Sequence, residues 1–319
     1  IVIGTLPDGH TPTLYVDDQP VEAVYDPVTG TLTPVDPLPE GEHDITYIIT
    51  DPAGNESEPS PETAIEIDVT GPATPTAPTT RLDEDGSSQP VTDPTNDSTP
   101  SIVIGTLPDG HTPTLYVDDA PVEAVYDPAT GTLTPVDPLP EGEHDISYSI
   151  TDPAGNESEP SPETAIEIDV TGPATPTAPT TRLDEDGSSQ PVTDPTNDTT
   201  PSIVIGTLPD GHTPTLYVDD EPVEAVYDPA TGTLTPVDPL PEGEHDISYS
   251  ITDPAGNESE PSPEAVIEID VTGPATPTAP TTRLDENGDE QLLTQPTNDN
   301  TPSIVIGTLP DGHTPTLYV

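Results

Sequence analysis

Cysteine, methionine, tryptophan, phenylalanine and lysine are all absent from this 319-residue sequence, and arginine occurs only at Arg81, Arg182 and Arg283. Without cysteine no disulfide can hold a domain together, so any core must consist of Ile, Val, Leu and Tyr. Three arginines face 62 Asp and Glu, a formal charge of −59. That balance excludes a phosphate-tracking surface for nucleic acid and disfavours an anionic membrane face, and it makes cations the natural small partners. No apolar run approaches the length of a membrane span, and the opening Ile1-Val2-Ile3-Gly4 lacks the basic start of a secretory signal. Membrane insertion is therefore not expected in this segment, and any targeting signal is expected outside it. Twenty-three glycines cannot supply one at every third position, which excludes collagen.

What is present is dominated by 49 prolines and acidic residues, a composition close to that of disordered chains. Pattern decides against disorder. IVIGTLPDGHTPTLYV begins at Ile1, Ile102, Ile203 and Ile304, a period of 101 residues. That length is domain-sized and far beyond solenoid repeats, so each copy is expected to bury its own core. His144 to Thr151 and Ala165 to Thr171 alternate polar and apolar residues, the mark of strands with one wet face. The alternation points Ile146, Tyr148, Ile150, Ile166, Ile168 and Val170 inward, and Asp145, Ser147, Glu167 and Asp169 to water. Ile48 in the first copy stands where Ser149 and Ser250 follow, which reads as an outward position. Further strands are expected at 79–82, 101–107, 114–118, 122–126 and 132–136, with hairpin turns at Asp118-Asp119-Ala120-Pro121 and Asp127 to Gly131. No segment carries a helical apolar period. About seven short antiparallel strands per hundred residues predict an all-β fold of tandem immunoglobulin-like Greek-key β-sandwiches. The Pro-rich Gly71 to Pro78 stretch, repeated at Gly172 and Gly273, marks linkers. The expected domains are 1–70, truncated at its N-terminus, then 71–171 and 172–272, and 273–319, truncated at its C-terminus, as in a fragment of a longer array.

Leu139-Pro140-Glu141-Gly142-Glu143-His144-Asp145-Ile146, followed by Thr151-Asp152-Pro153-Ala154-Gly155-Asn156-Glu157-Ser158, resembles the closing half of bacterial Ig-like domains. Upstream, Leu82 to Ser88 and Thr92 to Pro100 resemble the acidic first loop of the same family. The resemblance implies the long repetitive middle of giant bacterial surface adhesins of biofilm-associated and repeats-in-toxin types, in which calcium stiffens domains and linkers. It implies an extracellular extender at the bacterial cell surface, whose adhesive ligand is bound by domains outside this segment and whose close partners are calcium ions and neighbouring repeats.

Calcium takes six to eight oxygens, and the loop carrying Asp83, Asp85, Asp93, Asn96 and Asp97 offers enough of them. The second copy offers Asp184, Asp186, Asp194, Asn197 and Asp198. The third departs: Gln295 replaces the Asp93 equivalent, and the candidates are Asp285, Asn287, Asp289, Asn298 and Asp299. A solvated acidic loop is the competing reading. Asp152 and Asn156 read as turn formers, since both residue types bond their own backbone. His111 and His144 recur, yet no nucleophile elbow, His-Glu-x-x-His pair or phosphate loop accompanies them, so the chain is not expected to be an enzyme. His144 reads as a surface residue whose replacement leaves folding unchanged. The functional expectation is a calcium-stiffened extender holding a distal adhesive domain away from the cell. The alternative is a repeated glycan- or protein-binding module acting by avidity, although aromatics are 3% of residues and all Tyr. A disordered acidic brush ranks third.

Overall fold

In the computed structural model, which describes residues 1–83, 86–184, 187–310 and 312–318, every described strand pairing is antiparallel apart from two isolated parallel bridges, and no helix occurs among the described residues. The first complete repeat packs two sheets face to face. One has four strands in the order Ala120–Val122, Thr112–Val117, Gly142–Thr151, Thr164–Ile168. The other has five, ordered Ala124–Asp127, Thr132–Pro135, Ser101–Val103, Thr80–Leu82, Ser88–Pro90. Nine strands thus replace the expected seven. The Val122 to Tyr126 stretch is two strands because the chain crosses between sheets at Glu123, and the Ser88–Pro90 strand carries no apolar alternation by which to find it. The next repeat has the same two sheets.

Between the sheets lie Val91, Ile102, Leu115, Val117, Leu133, Leu139, Ile146, Tyr148, Ile166 and Ile168. Their equivalents Val192 to Ile269 form a separate second core. Burial of such β-branched and aliphatic side chains is worth about 1.5–3 kcal/mol each, which explains why a chain this acidic folds. The first repeat keeps a smaller core around Leu14, Val16, Leu32 and Ile45, and the last described sheet has three strands, Thr282–Leu284, Glu290–Leu292 and Ser303–Val305.

Two side-chain assignments change. Val170 is 48% exposed, because the Thr164–Ile168 strand ends two residues earlier and takes its alternation with it. Ser149 and Ser147 are buried although they face away from the core. The Glu157 to Ser161 segment covers that outer face: the Ser158 and Ser161 N–H groups donate to the Ile150 and Tyr148 carbonyls at 2.9 and 2.8 Å. Ser149 Oγ donates to the Glu157 carboxylate, which also receives Tyr116 OH at 2.8 Å. These bonds hold the Glu157 pKa below its usual value, that from Ser149 most. Ile48, in the first repeat, cannot make this bond and fills the place by volume instead.

Candidate functional site

The acidic loop is built on the hairpin joining Thr80–Leu82 to Ser88–Pro90. Asp83 closes it, with the Gly86 N–H donating to the Asp83 carbonyl at 2.9 Å and the Asp83 N–H to Ser87 O at 2.9 Å. Arg81, 5% exposed, turns its guanidinium under the loop, where it pairs with Asp83 and donates to the Pro94 carbonyl at 3.3 Å. A buried cation demands such partners, yet Arg81 Nε finds none among the described residues. Thr95, buried, donates its N–H to Glu167 O at 3.0 Å and accepts the Asp169 N–H at 2.9 Å, tying the loop to the end of the last strand. Asp97 is turned onto its own bend, accepting Thr99 N–H at 2.8 Å and Thr99 Oγ1 at 3.2 Å.

Asp83, Asp93, Asn96 and Asp97 line one cleft, with Arg81 and with the Asp253-Pro254-Ala255-Gly256 turn of the following repeat. In the second copy Asp184 pairs with Arg182, Asp198 accepts from Thr200, and Asp194 and Asn197 are exposed. In the third, Asp285, Asn298 and Asp299 share a cleft with Arg283 and Gln295, while Asn287 and Asp289 are exposed and do not line it. The Asp285 carboxylate accepts the Asp289 and Asn287 N–H groups, and these bonds, that from Asp289 foremost, hold its pKa below the usual range. Asp85 and Asp186 lie outside the described residues. Among the described residues no three acidic or histidine side chains converge closely enough to grip an ion. The described part of the loop is thus an acidic cleft with one resident guanidinium. The sequence signal for that resident was present: the single basic residue of each repeat stands two positions before the first loop aspartate.

His144 is not a free surface residue. Asp118 and Asp119 form the two-residue loop between Val117 and Ala120, both at positive φ (51° and 64°). This brings Asp118 Oδ2 to 2.8 Å from His144 Nδ1, with Asp118 Oδ1 accepting the Asp145 N–H at 3.0 Å. His144 Nε2 lies 2.9 Å from the Pro140 carbonyl, and its side chain is 11% exposed. The Asp118 carboxylate raises the imidazole pKa and is itself lowered by the imidazole. The arrangement recurs at His43 with Asp17 and His245 with Asp219. No nucleophile adjoins these pairs in the described hydrogen bonds, and both ring nitrogens are committed to structure. In the Asp152 to Asn156 turn, Asp152 Oδ1 accepts the Ala154 and Asn156 N–H groups at 2.9 Å, and its pKa is lowered chiefly by the Asn156 side chain.

Residues 72–170 and 173–271, together more than half of the chain, match the family model described as bacterial Ig-like domain. Hyalin of Strongylocentrotus purpuratus is 26% identical over 254 residues, 77% of this chain and 18% of hyalin, so the chain spans less than a fifth of that relative. Among solved structures, the fibronectin(III)-like modules of Clostridium thermocellum CbhA align at 16% identity over 63% of this chain and 93% of theirs, with a TM-score of 0.34. A tetra-tandem repeat in the extending region of a large adhesion protein aligns at 17% identity over 94% of this chain and 81% of its own, with a TM-score of 0.23. No described helix is long and apolar enough to cross a membrane.

Proposed function

The chain belongs to the bacterial Ig-like domain family, and from that membership we propose that it is a structural extender segment of a large bacterial cell-surface adhesin. The observation that carries this reading is the repetition of one ten-residue core at a spacing of 101 residues, Val91 to Ile168 and again Val192 to Ile269. Near-verbatim copies add length; they do not diversify a binding surface. The segment works outside the cell, spaces a distal adhesive domain from the surface and turns over no substrate. Its expected partners are its own neighbouring repeats and calcium.

Calcium has a defined place in this proposal. Between Thr70 and Val170 twenty Asp and Glu oppose Arg81 alone, a formal charge of −19. Arg81 already satisfies Asp83, which leaves Asp93, Asn96 and Asp97 in the same cleft as oxygen donors for a divalent ion. Calcium there supplements the guanidinium and stiffens the array by relieving repulsion. Single-molecule imaging of the chain, and of versions with one repeat deleted or added, tests the spacer role: contour length should change by one constant step per repeat. A compact particle whose size does not follow repeat number overturns it. The avidity alternative makes a different forecast, saturable binding of a glycan on an array by the same protein.

A further inference from the structure

The Asp-Pro-Ala-Gly-Asn turn occurs three times in three surroundings, and the differences isolate what it does. Asp51 to Asn55 is the turn of the first repeat in this sequence, with no contact to another repeat among the described residues. It still folds on itself, Asp51 Oδ1 accepting Asn55 N–H at 2.8 Å and Asp51 Oδ2 accepting Asn55 Nδ2 at 2.9 Å, with Asn55 and Ala53 exposed. At Asp152 to Asn156 the end of the preceding repeat is present. Asn156 Nδ2 now donates to the Asp68 carbonyl at 3.1 Å, and Asp152 is buried. At Asp253 to Asn257 both the strand end and the acidic loop of the preceding repeat are present. Asn257 Nδ2 donates to Asp169 O at 2.8 Å, the Asn96 N–H donates to Ala255 O at 3.2 Å, and Ala255 joins Asp253 among the buried residues.

The linker glycines repeat the series. A Cβ on Gly71 would lie 2.8 Å from the Glu157 carbonyl oxygen, and one on Gly172 would lie 3.1 Å from that of Glu258. Neither glycine has a positive φ, so the residue is required for room and not for backbone conformation. Gly273 begins the same Gly-Pro-Ala-Thr-Pro linker, the sequence supplies no turn beyond it, and nothing lies within 4 Å. The linker is also pinned to the repeat it introduces, since Thr164 Oγ1 donates to Pro78 O at 2.8 Å.

We propose that this turn is a preformed plug that seats on the end of the preceding repeat, against the carbonyl just past that repeat's last strand and beside the linker glycine that follows, and fixes the angle between repeats without a metal ion. The Asp-to-Asn bonds that close the turn are the same docked or free, so closing it needs no induced fit. Its partner is the neighbouring repeat, and the joint stands apart from the adhesin reading.

The absence of cysteine allows a clean test on the full chain. Val125→Cys and Val226→Cys, both 61% exposed, place spin labels on consecutive repeats. In excess chelator, pulsed dipolar spectroscopy should give one narrow distance distribution. Asn257→Ala should lose that narrow peak. Because Asn257 also closes its own turn, Gly172→Ala is the second variant: it leaves the turn intact and should shift or broaden the peak. Gly273→Ala should change nothing. A broad distribution in chelator that narrows only on adding calcium overturns this proposal and supports the calcium one. A peak equally narrow in both variants overturns it too.

Discussion

The two acceptors around His144 decide its protonation state. A carboxylate and a peptide carbonyl can only accept, so both ring nitrogens must donate, and only imidazolium has two N–H groups. The folded state therefore binds a proton that the unfolded chain releases near pH 6.5. The sign follows. A raised histidine pKa stabilises the fold below about 6.5, and that contribution is lost as pH climbs through the folded value; the lowered Asp118 pKa adds stability above about 3.9, lost as pH falls through its own folded value. Between those limits the pair contributes most. Melting of the chain should therefore fall between pH 6 and pH 9, a range in which ordinary carboxylates no longer titrate, and the His43, His144, His245 triple alanine variant should lose most of that slope. An unchanged slope in the variant assigns the effect elsewhere. His144→Ala alone should cost about 1 kcal/mol at pH 6, the net worth of an ordinary hydrogen bond, which reverses the neutrality expected from sequence. Nothing in Glu143-His144-Asp145 announces a partner 26 residues upstream, because the long-range pairing of Thr112–Val117 with Gly142–Thr151 brings the two together.

Turns and strands carried unequal information. The long Gly142–Thr151 strand was legible because its apolar residues alternate against a core, and the Asp118-Asp119-Ala120-Pro121 turn was legible in part, since the loop is Asp118-Asp119 and Ala120 and Pro121 already belong to the next strand. The covered face of the same strand was not: Ser147 and Ser149 are polar, and only the return of Glu157 to Ser161 across them makes polar mean buried. The acidic loop was found as a cluster of oxygens, yet its buried guanidinium was counted only as charge. The Asp118-Asp119 element permits a direct test. Asp118 holds His144, whereas Asp119 sits at φ 64° and is the leading cause of the raised pKa of Glu163. Glycine at 119 relieves left-handed strain and removes that repulsion, at some entropic cost in the unfolded chain, for a net gain on the order of 0.5 kcal/mol. Asp119→Gly should raise the melting temperature of its repeat by about 2–4 °C, while Asp118→Gly should lower it. A lower melting temperature for Asp119→Gly means that Asp119 makes a contact worth more than its strain.

Separate cores predict an array of domains that melt semi-independently, and the proposed joints set the direction in which they point. Leu133 is fully buried, so Leu133→Ala should cost about 2–5 kcal/mol in its own repeat. That is much of the ~5–15 kcal/mol a domain possesses. Calorimetry should then resolve an early transition for residues 71–171 and a later one for the intact neighbour; one merged early transition would mean that the joints transmit unfolding. Charge acts on the whole row differently from packing. Sixty-two carboxylates against three arginines repel one another throughout, and salt screens this only beyond about 8 Å at physiological ionic strength. Asp93 and Asp97 line one cleft, and Arg81 is spent on Asp83. On the calcium proposal a divalent ion neutralises them. Extracellular calcium sites dissociate at about 0.1–1 mM, and free calcium at ten times that constant adds about 1.4 kcal/mol per site. Melting of the full chain should accordingly rise in millimolar calcium by more than in sodium chloride of equal ionic strength, and Asp93→Asn with Asp194→Asn should remove the excess for the two complete repeats. The last described loop, with Gln295 in place of that aspartate, should show the weakest response. If sodium at matched ionic strength reproduces the whole shift, the acidic loops are solvated, Arg81 is their only specific cation, and stiffness resides in the joints alone.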